Sequence, residues 1–244
     1  MRRDDRPDAQ GSGYNYVGSE LEVFKDARNW KRYWSSAIAP YLRGAVLEVG
    51  AGIGANTPFL LAPSVTRLVR LEPDAALLAQ APNQGGGSTT TIENRVGVLG
   101  DLTAHETFDT ILYLDVLEHI ERDRREIEQA AARLSPGGHL VVLAPAFQTL
   151  YSAFDKAIGH YRRYTRASLE SLTPDTLTLR SSAYLDGPGA MLSAVNRLWL
   201  GQSSPTAAQI AFWDGWIVPL ARLVDPLTRR LVGRSVLCVW QRPH

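Results

Sequence analysis

The chain has 244 residues, a length that suits one domain with additions or two small domains. Hydrophobic residues make up 45% of the chain and charged residues 21%, which excludes extensive disorder. The formal net charge of +1 at pH 7 excludes a general attraction to nucleic acid or to an acidic membrane, although a local basic patch stays open.

The start of the chain and its cysteine content both bear on location. Residues 1–13 are polar and lack an apolar stretch, so we expect a flexible tail and no signal peptide. No apolar run approaches the roughly 18–20 residues that span a bilayer, so we expect no stable membrane insertion. The single cysteine, Cys238, cannot form an intrachain disulfide bond. A cytoplasmic protein is therefore the expectation.

Helices and strands alternate through residue 145. The pattern predicts a first helix over Gly18–Ala39, whose aromatic residues recur at helical spacing and are typical of a core face. The predicted strands are Ala45–Val49, Val65–Leu71, Asn94–Val98, Phe108–Leu114 and His139–Ala144. The predicted helices between them are Ala55–Leu61, Ala75–Ala79 and about Arg122–Leu134, the last ended by Ser135-Pro136-Gly137-Gly138. This alternation predicts a parallel sheet covered by helices on both faces, with right-handed crossovers.

The rhythm changes after residue 145. Short helices are predicted over Phe147–Lys156 and Ser168–Leu172, and strands over Thr176–Tyr184 and Val236–Gln241. Residues 187–234 are rich in Trp, Leu, Val and Pro, and they are predicted to form a helical insertion. No clean linker separates these parts, so we expect a single domain over residues 14–244.

A glycine turn follows the first predicted strand, in Glu48-Val49-Gly50-Ala51-Gly52-Ile53-Gly54. Glycines allow unusual backbone dihedral angles and close approach of a ligand, and the next helix start offers free N–H groups. Gly50, Gly52 and Ala55 match a dinucleotide pattern, with Glu72 about 20 residues on, which favours NAD(P). The competing interpretation is a loop for S-adenosylmethionine, with Glu48 as the acid at the end of the strand.

Five motifs in order carry the second interpretation across about 100 residues. They are VLEVGAGIG (Val46–Gly54), LEPD (Leu71–Asp74), GDL (Gly100–Leu102), FDTILYLDVLEHI (Phe108–Ile120) and LSPGGHLVVLAP (Leu134–Pro145). With them the sequence resembles the class I S-adenosylmethionine-dependent methyltransferase superfamily, in its small-molecule branch. The resemblance implies a Rossmann-like, doubly wound α/β sheet of seven strands with an antiparallel last strand, an N-terminal helical lid and a helical insertion before the last strand.

The resemblance also implies the parts of the domain and the residues that bind S-adenosylmethionine and its product S-adenosylhomocysteine. The parts are an N-terminal helical segment (14–43), a cofactor-binding core (44–145), a substrate-side loop and strand (146–186), the insertion (187–234) and a final strand (235–244). The implied cofactor residues are Glu48, Gly50, Ala51, Gly52, Glu72, Pro73, Asp101, Leu102, Asp115, Val116 and His119. Glu72 would accept hydrogen bonds from both ribose hydroxyls, and Asp101 with Leu102 would read the adenine amino group.

Structural alternatives exist for several of these acids. Glu72-Pro73-Asp74 could cap a helix, and an isolated Asp101 is typical of a turn. Asp115, Glu118 and His119 have side chains that can bind a metal ion. Asp115 and His119 are four residues apart and could share a helix face. The resemblance instead makes this stretch part of the pocket wall, with no metal.

A dense polar stretch, Gly159-His160-Tyr161-Arg162-Arg163-Tyr164-Thr165, follows the fifth predicted strand. A similar H-x-R-x-[FY]-[ST] stretch occurs there in a subset of the resembled superfamily. Arginine forks suit carboxylate or phosphate groups, and the imidazole suits proton transfer near neutral pH. The candidate substrate ligands are Tyr14, Arg162, Arg163 and Tyr164, and the candidate catalytic residues are His160 and Tyr16. The alternative is a loop pinned by arginine–carboxylate pairs.

The expected reaction is methyl transfer to an O, N or C nucleophile of a small molecule that carries a carboxylate or phosphate, such as a natural-product intermediate. Two alternatives stay open: a fold member that binds S-adenosylmethionine without transferring methyl, and an NAD(P)-dependent oxidoreductase. Nucleic acid is not expected as a partner, since the net charge is near zero. The insertion is expected to be a substrate lid, a homodimer face or a surface that touches lipid.

Overall fold

Seven strands form one mixed sheet in the computed structural model, which describes residues 20–82, 89–103, 105–195 and 206–244. The strands are β1 (Gly44–Val49), β2 (Val65–Glu72), β3 (Thr91–Val96), β4 (Phe108–Leu114), β5 (Leu134–Pro145), β6 (Thr178–Leu185) and β7 (Ser235–Gln241). Their order across the sheet is β3-β2-β1-β4-β5-β7-β6. The strands β1 to β5 run parallel, and β7 is antiparallel to its neighbours β5 and β6. The predicted Rossmann-like fold with an antiparallel last strand is confirmed.

Short helices connect and cover these strands. Within the described residues they are α1 (Glu20–Phe24), α2 (Arg28–Ile38), α3 (Thr57–Leu60), α4 (Ala75–Leu78), α5 (Asp123–Ala132), α6 (Ala153–Ala157), α7 (Arg166–Glu170), α8 (Gly187–Val195), α9 (Ala207–Phe212) and α10 (Val218–Leu227). A π-helical turn, Trp213–Ile217, joins α9 to α10. In the part of the chain that the structure describes, no helix is both long and apolar enough to cross a bilayer.

Alternate residues of the central strands enter two hydrophobic clusters, one on each face of the sheet. Leu47 and Ile111 belong to one cluster, and their chain neighbours Val46 and Leu112 belong to the other. All four side chains are fully buried. Because successive side chains of a strand point to opposite faces, apolar residues in every position require cover on both faces. The continuous apolar runs in the sequence have this cause.

The predicted N-terminal helix is two helices in the structure. The break lies between the end of α1 at Phe24 and the start of α2 at Arg28. The Asp214 carboxylate, from the insertion, accepts the backbone N–H groups of Asn29 at 3.1 Å and Trp30 at 2.8 Å. These are donors in the first turn of α2, which have no partner inside the helix. Since Asp214 caps α2 from a distance of 185 residues in the chain, the local sequence could not predict the break.

The predicted boundaries of two strands, β5 and β3, differ most from the structure. The strand β5 begins at Leu134, because the Ser135–Gly138 stretch is an irregularity inside the strand rather than a loop before it. The register with β4 shifts between the pairs Phe108–Leu134 and Thr110–His139, and Gly137 has a φ of 75°, which favours glycine. The strand β3 ends at Val96 rather than Val98; it lies at the sheet edge and is largely unburied.

The insertion is fastened to α2 through buried carboxylates. The Tyr33 hydroxyl donates to Oδ2 of Asp225 at 2.6 Å, and Asp225 also accepts the backbone N–H groups of Asp186 and Gly187. The Trp213 indole N–H donates to Oδ2 of Asp186 at 2.7 Å. Each of these buried carboxylates is satisfied by hydrogen-bond donors. The bond between Tyr33 and Asp225 joins α2 to the insertion.

Candidate active site

A cavity of about 220 Å³ lies beside the carboxyl ends of β1 and β4. Its wall combines the glycine turn after β1, the turn after β4, aromatic residues of α1 and α2, and the loop that carries His160. Open α/β sheets bind their ligands at this edge. Of the predicted cofactor residues, Gly50, Ala51, Asp115 and His119 line the cavity directly.

The glycine turn is held in a conformation that side chains would prevent. Gly50 and Gly52 have φ angles of 68° and 53°, in the left-handed region. A Cβ added at Gly50 would lie 2.6 Å from Val116, so Val116 packs directly against the turn. A Cβ at Gly52 would meet nothing closer than Leu21 at 3.4 Å. The turn therefore packs closely at Gly50 and has room beside it at Gly52.

Glu72, the last residue of β2, ties that turn to the next one. Its Oε2 accepts the N–H of Gly52 at 2.9 Å, and its Oε1 accepts the N–H of Asp74 at 3.0 Å. Burial raises the pKa of Glu72, and the two N–H groups oppose the rise. Asp74 caps α4 by accepting the N–H groups of Ala76 and Leu77. The cap predicted as an alternative for this stretch is thus Asp74, whereas Glu72 and the intervening Pro73 lie at the strand end.

Glu48 is a buried acid on β1. Asn56, which lines the cavity, donates to its Oε1 at 3.0 Å, and its Oε2 has no hydrogen-bond partner among the described residues. Burial raises the pKa of Glu48 to about 7, although the bond from Asn56 and the charge of Arg70 oppose the rise. A ligand group that donates a hydrogen bond would satisfy this oxygen.

Asp115 follows β4 and opens onto the cavity. Its φ of 57° lies in the left-handed region, which is uncommon for a residue other than glycine and typical of functional sites. The side chain is accessible from the cavity but enclosed by protein. Removal from bulk water raises the pKa of Asp115 to about 6, against the opposing charges of His160, Arg234 and Lys31.

His160 lies on the cavity wall in a fixed orientation. Its Nδ1 is 2.9 Å from Oδ1 of Asp155, which is fully buried. Arg163, also on the wall, grips Asp155 through Nε at 2.7 Å and Nη2 at 2.9 Å, and Ser152 donates to it as well. Burial would raise the pKa of Asp155, but the bonds from His160 and Arg163 outweigh it and hold that pKa below its usual range. The ionised Asp155 requires the proton on Nδ1 and leaves Nε2 as the basic nitrogen.

Glu118 and His119 complete the wall beside His160. Glu118 is fully buried, and neither of its carboxylate oxygens has a hydrogen-bond partner in the described part of the chain. Burial raises its pKa well above the usual range and lowers the pKa of His119 to about 4. Nε2 of His160 lies 3.8 Å from Oε1 of Glu118, and one ligand-type atom from each of the three residues falls within 4.8 Å of the others.

Nine of the predicted site residues do not line this cavity. Five of them, described above, belong to β1, the glycine turn or the ends of β2 and β4: Glu48, Gly52, Glu72, Pro73 and Val116. The other four lie elsewhere. Arg162 pairs with Asp123 at 2.5 Å and donates to the carbonyl of Glu121, so its charge is used in the loop. The Tyr164 hydroxyl donates to the same Asp123 at 2.9 Å, and the ring is buried in the core. The other two residues, Asp101 and Leu102, lie after β3: Asp101 accepts the N–H of Val98, and Leu102 is buried. Arg162 with Asp123, and Arg163 with Asp155, therefore fit the alternative of a loop pinned by arginine–carboxylate pairs.

Two further candidates remain to be placed, and the wall also contains residues that the sequence did not predict. Tyr14 and Tyr16 lie outside the described residues, so their roles stay predictions. The cavity wall also includes Lys31, Trp213 and Arg234, which sequence reasoning did not place in the site. The sequence contains one indication for Lys31. It lies four residues after Ala27, so helical spacing places a lysine on the otherwise mostly apolar buried face of this helix.

Comparisons with known proteins bear on this site. A family model described as a methyltransferase domain matches residues 26–175. The ubiquinone biosynthesis O-methyltransferase of Bradyrhizobium sp. ORS 278 is 28% identical in an alignment of length 142, and the match covers 54% of this chain and 54% of that protein. The enzyme of the same name from Xanthomonas oryzae is 30% identical over 158 residues, with 54% and 62% covered. The chain thus matches little more than half the length of these curated relatives.

Solved structures share the fold at low sequence identity. The N-methyltransferase NodS from Bradyrhizobium japonicum, solved with S-adenosylhomocysteine, superposes with a TM-score of 0.56 at 18% identity, covering 94% of both chains. An S-adenosylmethionine-dependent methyltransferase from Clostridium acetobutylicum gives a TM-score of 0.58 at 10% identity, covering 94% of this chain and all of that one. At such identities the likeness concerns the fold.

Proposed function

This chain belongs to the S-adenosylmethionine-dependent methyltransferases, and we propose that it transfers the methyl group to a hydroxyl oxygen of an anionic small molecule. Family membership decides against the NAD(P)-dependent oxidoreductase. The observation that carries the hydroxyl acceptor is the fixed bond between Asp155 and His160 on the cavity wall. A hydroxyl is a poor nucleophile until its proton leaves, whereas a neutral amine attacks without a base, so a held imidazole favours the oxygen acceptor.

The residues around the glycine turn fit the cofactor. The left-handed turn leaves open space at Gly52, and Glu72 holds that turn in place by accepting the Gly52 N–H. The unpartnered Oε2 of Glu48 suits the amino group of the methionine end. We propose that Glu48, Glu72, Asp115 and the turn bind S-adenosylmethionine, which when bound supplies a methyl group already activated on sulfur.

His160 then acts as the general base. Asp155 fixes the tautomer and the plane of the ring, so Nε2 is ready to take the hydroxyl proton of the acceptor. The resulting imidazolium is stabilised by the Asp155 carboxylate, which Arg163 in turn holds in place through two bonds. His160 is thus proposed as a catalytic residue, and Asp155 and Arg163 as positioning residues.

Cationic side chains on the wall support an anionic acceptor. Lys31, Arg163 and Arg234 all line the cavity. The Arg234 guanidinium lies 4.6 Å from the centroid of the Trp213 ring, which orients it by a cation–π contact. Arg234 is therefore our candidate to meet a carboxylate or phosphate of the substrate, because the charges of Arg162 and Arg163 are paired with Asp123 and Asp155.

The aromatic wall supplies a dry environment for the transfer. Phe24, Trp30 and Trp34 line the same cavity from α1 and α2. Attack of an oxygen anion on a positively charged methyl donor reduces charge, so exclusion of water favours the reaction. The chain's residues therefore contribute alignment, desolvation and removal of one proton.

The test is a methyl-transfer assay on hydroxylated carboxylic acids and the matching amines, followed by mass spectrometry. We expect methyl ethers from the wild type and a roughly 100-fold lower kcat for His160→Gln, with S-adenosylhomocysteine affinity changed by less than about threefold. Methylated amines with unchanged kcat in His160→Gln would contradict the hydroxyl acceptor. Binding of S-adenosylhomocysteine without transfer to any acceptor would favour the scaffold alternative.

A further inference from the structure

Large apolar side chains are exposed along one face of α10 and the π-helical turn before it. Trp216, Leu220, Leu223 and Leu227 are exposed to 72%, 47%, 71% and 83%, and their spacing places them on one helix face. We call these four residues the apolar ridge. Most other large apolar side chains of the described part of the chain are buried or half-buried, so the ridge is a concentrated feature.

The ridge cannot turn inward, because the opposite face of α10 is fastened. Val218 and Ala221 on that face are fully buried, and Asp225 accepts the Tyr33 hydroxyl and two backbone N–H groups. Rotation of the helix would break these bonds and leave the buried donors without an acceptor. The exposed face is therefore a property of the folded molecule.

The exposed charged side chains on the described part of the segment that carries the ridge are arginines. Residues 187–234 contain two acids, Asp214 and Asp225, and both are buried with hydrogen-bond donors around them. Arg222 and Arg229 are among these exposed arginines. An apolar face with a basic rim and a tryptophan matches the interface of an anionic bilayer.

We propose that the apolar ridge docks this protein on the surface of anionic phospholipid membranes. The side chains would enter the boundary between headgroups and acyl chains while Arg222 and Arg229 meet lipid phosphates. A second copy of the chain fits less well, because pairing two ridges would bring two cationic rims together. The same segment contributes Trp213 to the cavity wall, so docking would bring the site close to molecules held in the membrane.

Vesicle flotation of the full-length protein tests this proposal, and it needs no methyl acceptor. We expect the protein to float with vesicles of phosphatidylcholine and phosphatidylglycerol, and to float at least tenfold less with phosphatidylcholine alone. Leu223→Asp combined with Leu227→Asp should reduce binding to the mixed vesicles at least tenfold. Arg222→Glu should reduce it severalfold, and added salt should weaken it.

Val96→Asp is the matched control, since Val96 is 54% exposed and lies on the edge strand β3. It should float like the wild type, and every variant should keep its affinity for S-adenosylhomocysteine, which shows an intact fold. The proposal is overturned if the wild type does not bind the mixed vesicles, or if Val96→Asp loses as much vesicle binding as the double variant. It is also overturned if sedimentation shows a dimer that the double variant converts to monomer while the wild type does not bind vesicles. None of these depends on whether a hydroxyl is the acceptor.

Discussion

His160 and Asp155 are joined through Nδ1 and Oδ1 at 2.9 Å, and the same carboxylate is held by two bonds from Arg163. Removing the charge of Asp155 while keeping its shape should therefore loosen the orientation of the imidazole and leave its protonated form without a counter-charge. We expect Asp155→Asn to lower kcat roughly 10- to 100-fold, with little change in S-adenosylhomocysteine affinity measured by calorimetry. A shift of the acidic limb of the kcat–pH profile should accompany the loss, and a merely structural role would not produce that shift.

Glu72 anchors the glycine turn through the Gly52 N–H. In Glu72→Ala this N–H and that of Asp74 lose their acceptor, and the ribose diol loses its proposed partner. We expect at least a tenfold weaker affinity for S-adenosylhomocysteine by calorimetry. Asp74→Ala, which removes the α4 cap but leaves the Glu72 carboxylate, is the control and should weaken binding less. Equal losses in the two variants would assign Glu72 to structure alone.

Arg162 pairs with Asp123 away from the cavity, and both side chains are partly exposed. An exposed ion pair contributes about 0–1 kcal/mol to the free energy of unfolding. Arg162→Ala should therefore leave KM for an anionic substrate within about twofold and lower stability slightly. Arg234→Ala should raise KM about tenfold or more, because Arg234 lines the cavity. The reverse order of effects would restore Arg162 as the substrate ligand.

Glu48 makes stability depend on pH. Its pKa is about 7 in the folded protein and near 4.5 when exposed, so the folded state favours the protonated form. The contribution of Glu48 to stability is present below the unfolded pKa and is lost as pH rises towards 7. This loss is on the order of 3 kcal/mol. Urea unfolding of the protein without ligand should show a smaller loss of stability between pH 5 and 8 for Glu48→Gln than for the wild type.

Glu118, His119 and His160 resemble a cation site in composition, yet four lysine and arginine side chains line the same wall. A divalent ion beside Lys31, Arg163 and Arg234 would meet like charge, and its binding would occupy the basic Nε2 of His160. We therefore expect methyl transfer to proceed at an unchanged rate after prolonged dialysis against EDTA. A rate that falls at least tenfold and returns on adding Zn²⁺ or Mg²⁺ would assign a metal to these residues.

The sequence predicts the parts of the fold that depend on local pattern. The strand β4 begins and ends at the predicted residues, because Phe108–Leu114 is an apolar run buried on both faces. The edge strand β3 was misplaced because it has one neighbour and little burial, so its pattern carries no period. The break between α1 and α2 depends on Asp214, which no local pattern can contain.

In the candidate site, too, the sequence predicts what depends on local pattern and not what depends on tertiary contacts. The motifs predicted which acids lie at the carboxyl ends of β1, β2 and β4, because strand order fixes that edge. The pairing of Arg163 with Asp155 and of Arg162 with Asp123 could not be predicted, since adjacent arginines in a loop point in directions that only tertiary packing decides. Tertiary packing also decides that Lys31 and Arg234 reach the cavity.

The position of β7 has a consequence for how the protein is made. The strand comes last in the chain but lies between β5 and β6, and both strands use it as a neighbour. During synthesis β6 therefore has no sheet partner until residues 235–241 have left the ribosome. The nascent chain must therefore pass through a stage in which β1 to β5 can pair with one another while β6 has no partner strand.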